Sequence, residues 1–221
     1  MATYVMSDIH GCYTMFKQML DKINFDEEKD HLIVLGDITD RGSEGVSLLE
    51  FFFLKKDNKA YTLLMGNHEE ININVLKYPQ LYSHIDEICT GLEFHKKIKD
   101  KNIIDEYIEW LNSLPLLCEY KNFTLTHAGF IENDKNTLEV DLWDRSTLKK
   151  DYPLGENKIL VCGHTPTLIT EYYPSDNKPK EAGKIWHGKG IICIDCGAVF
   201  KKNFGGNLGC LNLDTMEEYY I

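Results

Sequence analysis

The sequence predicts a layered α/β domain with a helical insertion. Three observations lead there. Short apolar runs of strand length recur along the chain, each ending in polar or glycine-rich residues. Up to about residue 65 these runs alternate with stretches of helical periodicity. From roughly 70 to 118 the pattern turns mostly helical, and strand-like runs return afterwards.

The elements follow in order. Residues 3–6 run into Ser7-Asp8-Ile9-His10-Gly11, and Met15, Met19, Leu20 and Ile23 then have helical spacing. Residues 32–35 run into Gly36-Asp37, followed by a second helical pattern in Val46, Leu48, Leu49, Phe52 and Phe53. Residues 61–65 run into Gly66-Asn67-His68-Glu69. Strand–helix–strand–helix–strand is the signature of a parallel sheet. Ile104, Tyr107, Ile108 and Leu111 give the insertion an apolar face that ends near Pro115. Residues 123–126 run into His127-Ala128-Gly129, and 159–162 into Gly163-His164-Thr165. Strands at 190–194 and 209–213 flank a turn at Gly205-Gly206-Asn207. No repeat or Pro/Gly/Ser-rich linker divides the chain, so residues 1–221 read as one domain.

Composition narrows the function. The net charge is −11, from 24 basic and 35 acidic residues, and no Lys/Arg block stands out. General nucleic-acid or anionic-membrane binding is disfavoured. No apolar run is long enough to span a bilayer. Seven cysteines without a spacing framework, and an N-terminus without a long apolar signal segment, predict a reduced, cytoplasmic protein with free thiols.

In open α/β sheets ligands bind beyond the carboxyl ends of the strands. All five polar clusters fall at such ends, so they can converge. Their carboxylate, amide and imidazole donors suit Mn²⁺, Fe or Zn²⁺, whereas the lack of thiolates argues against a structural zinc site. Each cluster has a plainer reading by itself: Asp8-x-His10 as a surface turn, Asn67 as a helix cap, His127 or His164 as a strand-end histidine. Five in this order do not.

In these motifs the chain resembles the calcineurin-like metallophosphoesterases, and within them the phosphoprotein phosphatase branch. The pattern is Asp8-x-His10, Gly36-Asp37-x-x-Asp40-Arg41-Gly42, Gly66-Asn67-His68-Glu69, a later His127, and Gly163-His164-Thr165. The tail from Ile194-Asp195-Cys196-Gly197 to Gly206-Asn207-Leu208 is similar to small lambda-type and bacterial members. The likeness covers most of the chain outside roughly 70–118 and 170–188, and Cys196 stands where Thr is expected.

The resemblance implies a four-layer α/β/β/α sandwich and two divalent ions, with Mn²⁺ first and Fe or Zn²⁺ as alternatives. One ion takes Asp8, His10 and Asp37; the other takes Asp37, Asn67, His127 and His164. Asp37 bridges, because a carboxylate has two oxygens to share. A hydroxide bridging the metals attacks phosphorus directly. His68 protonates the leaving oxygen, and Asp40 holds its ring. Arg41 binds phosphate oxygens alongside Asn67, and Arg145 in Leu142-Trp143-Asp144-Arg145 is the expected second arginine. Its plainer reading is a salt bridge with Asp144 or Asp141.

The leading expectation is a serine/threonine protein phosphatase that also accepts small phosphate esters. The alternative is a bis(5'-nucleosyl)-tetraphosphatase acting on dinucleoside polyphosphates, for which Tyr78, Tyr82, Phe94 and Tyr107 are candidate base-stacking aromatics. A non-catalytic metal-binding scaffold and a nuclease rank lower. Cys193-x-x-Cys196 is read as lying within a strand, without a redox or metal role. His31, His84, His95 and His187 are expected to be surface or capping residues. The acidic 26–30 stretch reads as a solvated turn, and Lys96, Lys97, Lys99 and Lys101 as a solvated helix end.

Overall fold

A computed structural model describes the chain except residues 83–88, 134 and 136. His84 lies outside the described residues. The first third forms β1 (Thr3–Met6), α1 (Tyr13–Lys22), β2 (His31–Val34), α2 (Gly45–Leu54) and β3 (Tyr61–Leu63). The three strands are parallel, with Met6 beside Val34 and Val34 beside Leu63. Side chains alternate across this sheet. Tyr4, Met6, Leu32 and Val34 pack with Phe16, Met19 and Leu20 of α1 and with Leu48 and Phe52 of α2. Val5 and Ile33 point to the opposite face, into a second core. Burial on both faces explains why these strands read as continuous apolar runs.

The helices α3 (Asn67–Lys77), α4 (Thr90–Lys97) and α5 (Lys101–Asn112) form the insertion. Ile73, Leu76, Phe94, Ile104, Tyr107 and Leu111 close on Val46 and Leu49 of α2. Phe94 and Tyr107 are therefore core residues rather than a substrate surface, each less than 9% exposed. Asp100 caps α5 by accepting the Asn102 N–H at 2.9 Å.

The chain then makes β4 (Leu117–Tyr120), β5 (Phe123–Thr126), the hairpin β6 (Gly129–Glu132) and β7 (Leu138–Asp141), β8 (Ile159–Cys162), β9 (Trp186–His187) and β10 (Ile191–Cys193). A short helix, α6 (Lys201–Phe204), precedes β11 (Gly209–Asn212) and β12 (Glu218–Tyr220). The first sheet runs β12-β11-β1-β2-β3 and the second β4-β5-β8-β10-β9. They pack face to face through Val5, Ile33, Leu35, Leu64 and Leu211 against Phe123, Leu125, Val161, Ile192 and Ile194.

The outer face of the second sheet, Leu160, Cys162, Ile191 and Cys193, is covered by Phe130, Leu148, Tyr173 and Trp186. These come from the β6–β7 hairpin, from 3₁₀ turns at Thr147–Lys149 and Thr170–Tyr172 with the residue that follows, and from β9. The mixed α/β layering is thus present, with its longest helices on the first sheet and on α2. Cys193 ends β10, whereas Cys196 lies beyond it, so the Cys-x-x-Cys pair leaves the strand rather than lying within it. Among the described residues no helix is long and apolar enough to cross a membrane.

Candidate metal centre

The five polar clusters sit where the sequence placed them, at the carboxyl ends of β1, β2, β3, β5 and β8. Their backbone is unusual. Asp8, His10, Asp37, Asp40, Arg41 and His164 all have positive φ, between 42° and 66°. Such values are uncommon without glycine and cluster where the surrounding structure over-determines the chain. The glycines allow the loops to approach. A Cβ on Gly36 would lie 2.6 Å from the Gly66 Cα, and one on Gly163 would lie 2.2 Å from Asp8 Oδ2.

Asp8, His10, Asp37, Asn67, His127 and His164 are buried together. His10 Nε2 is 3.5 Å from Asp37 Oδ2 and 3.9 Å from Asp8 Oδ1. On the other side of Asp37, His127 Nε2 is 3.5 Å from Oδ1. Asn67 Oδ1 lies 2.9 Å from His127 Nε2 and 3.0 Å from His164 Nδ1. Two donor groups result, His10–Asp37–His68 and Asp37–His127–His164, each with its atoms within 4.8 Å of one another. Asp37 belongs to both. The first group includes His68, which the sequence reading held apart from the ligands, though its Nδ1 is engaged by Asp40.

The donor set fits cations. His10 Nδ1 faces the Thr39 carbonyl at 2.9 Å and His127 Nδ1 faces the Leu35 carbonyl at 2.8 Å. A carbonyl can only accept, so each ring donates through Nδ1 and turns Nε2 towards the other donors. Asp8 Oδ1 and His164 Nε2 are buried without a hydrogen-bond partner. Burial pushes the Asp37 carboxyl well above its usual range, and the charges of Asp8 and Glu69 add to this. Burial also holds His10 well below the ordinary imidazole value, reinforced by Arg41 and His68. The same cause, with His127 and Arg145, pushes His164 down to about 2. Carboxylates short of positive charge beside imidazoles that reject a proton are chemically prepared for metal ions.

His68 behaves differently. Burial alone would lower its pKa, but its hydrogen bond to Asp40 and the charges of Asp37 and Asp40 outweigh that and raise it. His68 Nδ1 lies 2.8 Å from Asp40 Oδ2, which leaves Nε2 as the atom able to carry a proton elsewhere. Arg41 is exposed, with a guanidinium nitrogen 3.0 Å from His10 Nε2. Arg145 makes neither carboxylate pair considered from sequence. It donates to the His164 carbonyl at 3.2 Å and to Thr165 Oγ1 at 3.0 Å, and it lies 5.0 Å over the Tyr172 ring. Asp144 instead accepts from Ser146 and Thr147.

Sequence reasoning gave no role to three supporting residues. Glu69 is fully buried; its Oε2 accepts the Asp37 N–H at 2.6 Å and the Gly66 N–H at 3.0 Å, while Oε1 accepts the Ile38 N–H at 3.0 Å. It ties the loop after β2 to the start of α3. Asn72 Nδ2 donates to Thr39 Oγ1, Asp40 Oδ2 and the His68 carbonyl at 2.8 to 3.0 Å. The Thr90 N–H donates to Asp40 Oδ1 at 2.7 Å, and the Asp40 N–H donates to Thr90 Oγ1 at 2.8 Å. Glu69 stood in the Gly66-Asn67-His68-Glu69 motif without a role, and the helical spacing of His68 and Asn72 was a second sequence signal.

Residues 1–193 match the family model for calcineurin-like phosphoesterases. The symmetrical bis(5'-nucleosyl)-tetraphosphatase of Pasteurella multocida is 31% identical over 192 residues, 85% of this chain and 60% of the relative. The protein of the same name from Proteus mirabilis is 32% identical over 188 residues, 83% of this chain and 62% of the relative. The chain thus spans about 60% of the length of these curated relatives. Among solved structures, a metallophosphoesterase from Sphaerobacter thermophilus superposes with a TM-score of 0.62 at 18% identity, covering 100% of this chain and 88% of that one. A serine/threonine protein phosphatase from Saccharomyces cerevisiae also gives 0.62, at 16% identity, covering 96% and 72%. At such identities the likeness speaks for the fold.

Proposed function

The chain belongs to the calcineurin-like phosphoesterase family, and from that premise we propose that it hydrolyses dinucleoside polyphosphates at a two-metal centre. Cleavage of diadenosine tetraphosphate at its middle leaves two molecules of ADP. The observation that carries the two-metal reading is Asp37, shared by both groups of buried donors.

The substrate choice reverses the order drawn from sequence, which put phosphoproteins first. Two relatives above 30% identity over more than four fifths of the chain carry the dinucleotide name, whereas the yeast protein phosphatase is 16% identical. Phosphoprotein hydrolysis remains the second reading, because the motif set is common to both.

Asp8, His10 and Asp37 would hold one ion, and Asp37, Asn67, His127 and His164 the other, with Mn²⁺ the first candidate and Fe or Zn²⁺ behind it. Bound there, the ions polarise phosphate oxygens and lower the pKa of water to about 7. The remaining chemistry falls to side chains. Arg41 and Arg145 bind phosphate oxygens and offset the local negative charge in a chain of net charge −11. His68 delivers its proton to the leaving oxygen, and Asp40 holds the ring in the geometry for that transfer. No step requires a phosphorylated residue. We read residues 1–221 as one unit working in a reducing compartment, which suits seven free cysteines.

The test uses protein loaded with Mn²⁺ and compares diadenosine tetraphosphate with a phosphoserine peptide. Turnover of the dinucleotide to ADP alone, well ahead of the peptide, supports this reading. ATP and AMP as products, or faster turnover of the peptide, would overturn it.

A further inference from the structure

Trp143 is 53% exposed, although it stands between a half-buried leucine anchor and the donor set. Its neighbour Leu142 packs against the cluster formed by α2 and the insertion helices. The Trp143 ring instead lies edge-to-face with His164, with centroids 6.2 Å apart and an interplanar angle of 82°. Its Nε1–H is directed at Glu70 Oε2, 3.4 Å away on the helix that begins with Asn67 and His68. Its backbone N–H donates to Asp141 Oδ1 at 2.7 Å. The indole therefore touches α3 through Nε1 and the loop after β8 through His164, while about half of the residue, 53%, remains open to solvent. Arg145, two residues on, lies over Tyr172 and reaches the His164 carbonyl.

We infer that Trp143 is the platform on which a nucleobase of the substrate stacks, with Arg145 beside it for the adjoining phosphates. This rests on the dinucleotide reading above. The metal centre recognises phosphate and supplies no contact for a base, so a base preference needs a flat aromatic surface outside it. A base joined to the reacting phosphate through ribose and a second phosphate is tethered close to the donors, and Trp143, in ring contact with His164, lies within reach of that tether. Three of the four aromatics first considered from sequence do less well. Phe94 and Tyr107 are buried in the helical core, and Tyr78 belongs to the far end of α3 from Asn67 and His68. Trp143, by contrast, is an exposed large side chain in ring contact with a member of the donor set. Stacking on tryptophan is also indifferent to most of the base's hydrogen-bonding edge, so the platform accepts adenine and guanine alike.

Calorimetric binding to Mn²⁺-loaded protein tests this, with ADP and inorganic pyrophosphate as probes. Wild type should bind ADP more tightly than pyrophosphate. Trp143→Ala should weaken ADP about tenfold and pyrophosphate less than twofold, and Trp143→Phe should keep most of the ADP affinity. Equal weakening of both probes in Trp143→Ala would reduce Trp143 to a wall of the metal site and overturn the platform. So would unchanged ADP affinity in a protein that still converts diadenosine tetraphosphate to ADP, which leaves the substrate reading standing. Wild type without a preference for ADP, and without dinucleotide turnover, overturns both.

Discussion

Asn72 donates its side-chain amide to Asp40 Oδ2 at 2.9 Å, the same oxygen that His68 Nδ1 reaches at 2.8 Å. Asn72 also holds the His68 carbonyl and accepts the Gly91 N–H at 2.6 Å, and all three side chains are buried. Removing the amide leaves Asp40 short of a charge-assisted hydrogen bond and frees the His68 ring to turn. Asn72→Ala should slow hydrolysis of an alkyl phosphate roughly tenfold and of p-nitrophenyl phosphate only about twofold. Manganese content should not change, because Asn72 touches none of the proposed ligands. Equal losses on the two esters would remove the positioning role.

His68→Asn should show the same dependence on leaving group, more steeply, by about a hundredfold on the alkyl ester. If both residues serve the one proposed proton transfer, the double variant should lose little beyond His68→Asn alone. Steady-state kinetics on the four proteins checks this, and additive losses would separate the two roles.

Asn67→Asp places a further negative charge among the donors while keeping a ligand oxygen. Phosphate, titrated calorimetrically into protein shown to hold two ions, should bind roughly tenfold more weakly. Unchanged affinity at full metal content would discard the view that the neutral amide preserves positive charge for the substrate.

Glu69 is 0% exposed and accepts three backbone N–H groups from two loops. Glu69→Ala should cost about 3 kcal/mol in urea unfolding, because those donors are left unpaired in the interior. Glu69→Gln keeps one acceptor oxygen and should cost less.

Asp214 fastens the first sheet to the second. It accepts the Thr3 N–H at 2.8 Å and the Tyr120 hydroxyl at 2.7 Å, and pairs with Lys121. Its carboxyl is pushed down to about 2: burial would raise it, but the Lys121 and Tyr120 hydrogen bonds prevail. An unfolded aspartate titrates near 3.9. The stabilisation is therefore complete above about pH 4 and is lost as pH falls towards 2. Asp214→Asn should lower the denaturation midpoint at pH 6 and flatten its decline between pH 4 and pH 2.

Much of this was legible in the sequence because the chemistry is local to strand ends. A buried parallel strand leaves a continuous apolar run, and the next residues must turn, so Asp8, Asp37, Asn67, His127 and His164 were each marked by the strand before them. What escaped depends on long-range closure. Thr90 meets Asp40 across 50 residues, and nothing near Thr90 signals that contact. Arg145 carried a chemical expectation, yet its partners, the His164 carbonyl and Thr165, lie 19 and 20 residues on. A layer over the second sheet was expected, but its make-up from the β6–β7 hairpin and short 3₁₀ turns was not legible, because such turns carry no periodicity.

The donors divide by layer. Asp8, His10, Asp37 and Asn67 follow strands of the first sheet, and His127 and His164 follow strands of the second. Ions held between them would tie one layer to the other at the carboxyl ends of β1 and β8. Whatever binding free energy they contribute becomes resistance to shear between the layers. A chelator should therefore loosen the whole molecule as well as stop hydrolysis, since the proposed metal centre would also be a second fastening beside Asp214.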